Sequence, residues 1–153
     1  MRKLIAVLCV VAMLLMAVPA LANPSASSTI TVLTEGVNVV PVETSDIAND
    51  GAKEVVEAVN GDGVMTPSEA VAIVLGSETP EYGEVKGYSF TSQFNSIDAP
   101  EFPVIIEIAG AEATTKIMLI NPETGEMVII KANEDGTFTI PFAGLFAMMD
   151  PTP

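Results

Sequence analysis

The sequence predicts a mainly β fold: an antiparallel sandwich carrying a short helical hairpin near residues 46–76, with a signal peptide ahead of it. Three observations lead there. Five short β-forming segments follow residue 101, each closed by a cluster of turn residues, and such close, regular spacing favours a sandwich or barrel over a parallel sheet. Between residues 46 and 76 the apolar period changes from two to that of a helix. The N-terminus has a positive, then apolar, then small-residue pattern.

Met1-Arg2-Lys3 precedes an apolar run from Leu4 to Val18, then Pro19-Ala20-Leu21-Ala22 ahead of Asn23. This is the layout of an export signal with cleavage after Ala22. The alternative is a retained anchor, since a spanning helix needs about 20 apolar residues; Pro19 and the small residues after it favour cleavage. Cys9 follows Leu8, where a lipobox would hold a small residue, so lipidation is not expected. The expected organisation is residues 1–22 as signal peptide, 23–29 as a flexible lead-in, and 30–150 as one domain. The setting is then secreted, extracellular or the cell envelope, with membrane contact only through an uncleaved signal segment.

Composition narrows the function. After residue 22 there is no His, Cys, Trp or Arg. A Ser-His-Asp or Cys-His nucleophile cannot be assembled, nor a His or Cys zinc site. The chain carries 20 acidic residues and a net charge of −14, with Lys53, Lys86, Lys116 and Lys131 the only bases past the signal. That field repels nucleic acid, which is bound through Lys and Arg, and favours cations, basic proteins or plain solubility. The Ile, Val, Met and Phe after Glu101 can form a core that offsets chain entropy.

Thr29–Leu33 reads as a short strand, and Glu35-Gly36 turns the chain into a second over Val37–Val42. Val37, Val39 and Pro41 share one face there, and Pro41 suits an edge or a strand end. Ser45 or Asp46 can cap a helix bearing Ala52, Val55, Val56 and Val59 at helical spacing. Asn60-Gly61-Asp62-Gly63 ends it. A second helix opens at Thr66-Pro67-Ser68-Glu69, a capping box with proline at the first helical position. Its apolar face is Val71, Val74 and Leu75, and Gly76 stops it. Residues 77–100 are rich in Ser, Thr, Pro, Gly and Glu and read as holding one strand, over Tyr88–Phe94. The last five strands are Phe102–Ile108, Lys116–Ile120, Met127–Ala132, Thr137–Phe142 and Leu145–Met149.

The run Phe102-Pro103-Val104-Ile105-Ile106-Glu107-Ile108-Ala109-Gly110, then Thr124-Gly125-Glu126 and Asp135-Gly136-Thr137-Phe138, resembles the β-sandwich modules of exported Gram-positive-type bacterial surface proteins. The closing Pro141-Phe142-Ala143 lacks the Ser-Pro of that pattern, and Met127 stands where an aromatic is usual. The resemblance implies an Ig-like sandwich at the cell exterior and no activity.

One further stretch, residues 60–69, is similar to the calcium loop of EF-hand and dockerin modules. With Asp62 as the fifth loop residue, Gly63 takes the glycine position and Val64 the carbonyl position. Asn60 is then third, Thr66 ninth and Glu69 the closing carboxylate. The first position is Ala58, where a charged ligand is normal. A helix connector closed by a capping box explains the same residues without metal. Carboxylate pairs such as Glu54 with Glu57, or Glu123 with Glu126, are the remaining catalytic material, but helix exteriors and hairpin loops usually carry solvated charge. The expectation is a non-enzymatic binding or structural module with no cofactor, whose partner is a protein or glycan at the cell exterior. A calcium-dependent interaction module and, more weakly, a small carboxylate glycan hydrolase are the alternatives.

Overall fold

A computed structural model describes residues 30–61, 64–77 and 79–153. The expected signal peptide and lead-in, residues 1–29, lie outside the described residues, as do Asp62, Gly63 and Glu78. The chain forms two antiparallel sheets packed with a few short helices, a mixed α/β arrangement that does not close into a barrel.

The strands are β1 (Ile30–Val32), β2 (Asn38–Pro41), β3 (Tyr88–Phe90), β4 (Asn95–Asp98), β5 (Val104–Ile108), β6 (Lys116–Ile120), β7 (Met127–Lys131), β8 (Thr137–Ile140) and β9 (Leu145–Pro151). One sheet has the order β1-β5-β8. The other runs β2-β4-β9-β6-β7, with β3 also paired to β9. Three α-helices, α1 (Asp50–Asn60), α2 (Pro67–Val74) and α3 (Pro80–Val85), lie between β2 and β3 in the chain.

The larger sheet is buried on both faces. Ile117 and Leu119 of β6 and Phe146 of β9 meet Ile106, Phe138 and Ile140 of the smaller sheet. Their neighbours Met118, Ile120, Ala147 and Met149 meet Val55, Val56, Ala70, Val71 and Val85 of the helices. A strand alternates its side chains between faces, so one apolar run supplies both cores. This is why Lys116–Ile120 and Leu145–Met149 read as near-continuous apolar segments.

Three expectations are corrected. First, α1 begins later than Ser45 or Asp46, which belong to a 3-10 turn over Thr44–Asp46. Asn49 is the cap, its side chain accepting from the Ala52 N–H at 3.0 Å, because Ile47 is drawn into the helical core instead. Second, α2 buries Pro67, Ala70 and Val71, while Leu75 lies at its C-cap and is exposed. Third, residues 77–100 hold a helix and two strands in place of the one strand expected. Pro80 opens α3, held to the sheet by Lys116, whose Nζ donates to the Glu84 carbonyl at 2.7 Å and lies 4.7 Å from the Tyr88 ring centre. Lys131 adds an exposed ion pair with Glu84 at 3.4 Å. These helices move the fold from mainly β to mixed.

The strand expected over Tyr88–Phe94 is interrupted. Tyr88–Phe90 pairs with Met149–Pro151, and Asn95–Ser96 pairs with Leu145–Phe146, so β3 and β4 lie end to end along one side of β9. Between them the Ser92 hydroxyl, instead of a backbone carbonyl, accepts from the Met148 N–H at 2.8 Å.

Candidate functional site

The residues expected to ligate calcium run from the end of α1 through the connector into the first turn of α2, and the structure gives several of them other partners. Asn60 is the last residue of α1. Its side-chain carbonyl accepts from the Phe94 N–H at 2.7 Å, and its amide donates to the Phe94 carbonyl at 3.2 Å. An amide used twice in this way imitates a strand neighbour, and it fills the gap between β3 and β4. Gln93 reinforces the joint by donating to the Asn60 carbonyl at 3.3 Å.

Thr66 and Glu69 form the capping box. Glu69 Oε2 accepts from the Thr66 N–H at 2.7 Å and from its hydroxyl at 3.0 Å, while Thr66 Oγ1 accepts from the Glu69 N–H at 3.3 Å. Val64 is 97% exposed. Asp62 lies outside the described residues, and Ala58 offers no side-chain oxygen. Among the described residues no cluster of three or more Asp, Glu, His or Cys is gathered for a metal.

The Thr66 backbone N–H, then its hydroxyl, holds the Glu69 carboxyl below its ordinary value of 4.5. A carboxyl depressed on folding contributes stability that is complete above the unfolded value and is lost as pH falls through the folded one. The stability difference between wild type and Glu69→Gln should therefore be largest above pH 4.5 and shrink as acid is added. Urea melts of the two proteins across that range measure it; a constant difference would show that the cap is not charge-assisted. Asp135 behaves alike, lowered from 3.8 by the Thr137 hydroxyl and then the Thr137 N–H, with Oδ1 accepting both at 2.6 and 3.0 Å. Those bonds close the turn between β7 and β8.

Beside the connector lies an open apolar hollow of about 390 Å³, lined by Ala58, Val64, Met65, Glu69, Ala72 and Ile73. Sequence reasoning assigned α2 one apolar face. The available signal was that Pro67–Val74 carries more apolar residues than one buried stripe uses.

A second hollow, of about 490 Å³, is polar and open, with Glu112 and Asp150 on its wall. These are the carboxylates sequence reasoning did not single out. Both Asp150 oxygens already accept hydroxyls, from Thr115 at 2.5 Å and Thr91 at 2.9 Å, so the residue ties β9 to its neighbours. Glu54, Glu57, Glu123 and Glu126 are exposed. In the smaller sheet β5 is covered on both sides by β1 and β8. By contrast, among the described residues β7 ends the larger sheet and pairs with β6 alone. No helix among the described residues is long and apolar enough to cross a membrane. Comparison with protein-family models, curated proteins and solved structures finds no significant match.

Proposed function

We propose that this chain is an exported, non-enzymatic binding or structural module of the bacterial cell envelope or exterior, with its two sheets arranged as an Ig-like sandwich beneath a helical layer. The observation that carries the reading is the hollow between α1 and α2. There Val64 and Ala72 are exposed beside Met65 and Ile73, which pack against the helical core yet stay only half-buried. Two of the carboxylates beside the hollows have structural partners, Asp150 in bonds to threonines and Glu69 in a helix cap. The export pattern of residues 1–22 supports the setting.

The calcium-dependent form of this reading draws on the helices that flank residues 60–69 on both sides. Metal binding would have to compete with the capping box for Glu69 and with Phe94 for Asn60. One experiment separates the readings. The full chain is mixed with isolated bacterial envelope and sedimented, in calcium and in chelator. Saturable retention in both conditions, without release of soluble sugar, is the expected result. Retention lost in chelator would give the site to calcium, and sugar release abolished by a single Glu-to-Gln change would make the chain a hydrolase. Absence of retention in either condition would overturn the binding reading.

A further inference from the structure

We propose that the hollow between α1 and α2 receives a cationic amphipathic helix of a partner protein, apolar face inward; this rests on the binding-module reading above and adds the chemistry of the partner. The hollow exists because Ala58 and Ala72, facing it from the two helices, are small. Met65 and Ile73 form apolar walls and Val64 stands at the rim, 97% exposed. Met is the side chain that adapts most readily to another surface. A groove between two helices takes a third helix through side chains spaced one turn apart, and this volume suits one or two large apolar anchors.

Charge selects among possible helices. Among the described residues, Glu69 is the one charged residue lining the hollow. Glu54 lies four residues before Ala58 on α1, so it shares that helix face, and it is exposed. Among the described residues no lysine lines the hollow, and the chain as a whole carries −14. A helix with Lys or Arg flanking its apolar stripe is therefore steered in, while an acidic one is repelled. A second copy of this acidic chain is a poor occupant for the same reason.

The test uses the full chain and three synthetic peptides of about 18 residues, about five helical turns. One carries a leucine stripe flanked by lysines, one is the same composition scrambled, and one has glutamate in place of lysine. The lysine amphipath should bind, and the other two should bind at least about tenfold more weakly. Ala72→Gln, which plugs the hollow at an exposed position, and Val64→Ser should each weaken binding about tenfold without changing the melting temperature. Glu54→Gln should weaken it less and flatten its salt dependence.

Equal affinity for amphipathic and scrambled peptides, or full binding by Ala72→Gln, would reduce the effect to diffuse charge and overturn the proposal. So would no binding at all, or self-association of the chain that Ala72→Gln abolishes, which would make a second copy the occupant. Envelope retention keeps the two levels apart. If wild type is retained and Ala72→Gln is retained equally, the groove is wrong while the module stands. If wild type is not retained, the module reading itself fails.

Discussion

Phe146→Ala is expected to lower the unfolding free energy by about 4 kcal/mol, within the range for emptying a buried phenylalanine site. Phe146 is 1% exposed and sits in β9, where it lies opposite Asn95 of β4 and Leu119 of β6. Both flanks are thus fixed by strand pairing, so the backbone cannot collapse into the void. Above and below, the ring belongs to the core shared with Ile106, Phe138 and Ile140. A domain is stable by about 5–15 kcal/mol in total, so this one truncation removes a large part of the margin. Phe142 is the control. It packs on the same core but is only half-buried, and Phe142→Ala should cost less than half as much. Urea denaturation measures both, with unchanged dependence on denaturant as the sign that the native state is otherwise preserved. A loss below about 1 kcal/mol for Phe146→Ala would mean that the sheets do not share a packed interior at that point.

The strands after residue 103 were legible because their signals are local. Thr124-Gly125 and Asp135-Gly136 mark turns, and the apolar stretches between them leave little choice of register. The capping box was legible for the same reason, since Thr66 and Glu69 are three residues apart. What the sequence hid is set by distant partners. Asn60 reads as a loop ligand from its neighbours, yet its amide is committed to Phe94, 34 residues away. The strand β4 is Asn-Ser-Ile-Asp, with little β-forming character, and exists because β2 and β9 flank it. The helix α3 contains Gly83 and spans six residues, too short to hold alone, and is held by Val85 in the helical core and by the Lys116 bond to its Glu84 carbonyl. Which apolar residues of β6 and β9 face the second sheet and which face helices follows only once the helices are seen to form a third layer. The hollow was missed for a related reason: an apolar residue left outside the core looks the same in sequence as one inside it.

Gly125→Ala is the second large effect, and its mechanism reaches beyond the turn that contains it. Gly125 ends the β6–β7 hairpin loop at φ +76°, a conformation that costs an L-residue about 1–2 kcal/mol. A Cβ there would also lie 2.7 Å from Asn49 Nδ2 and 2.9 Å from Asn49 Cγ. Asn49 caps α1 through its bond to the Ala52 N–H, and the N–H groups of Ala48 and Asn49 both donate to the Pro122 carbonyl, at 3.1 and 2.9 Å. The hairpin loop is thus the seat on which the helical layer begins. An added methyl strains the loop and pushes the cap aside, so the loss should be about 2–3 kcal/mol, the strain plus about 1 kcal/mol for a lost N-cap. A double-mutant cycle with Asn49→Ala tests the coupling. Asn49→Ala alone should cost about 1 kcal/mol. In that background Gly125→Ala should cost only the backbone strain, because the side chain it would have displaced is already gone. Strictly additive losses would show that the hairpin and the start of α1 are energetically independent. Coupling of about 1 kcal/mol would show that a turn in the β half of the chain sets the first turn of the helices, and through α1 the wall of the hollow that carries Ala58.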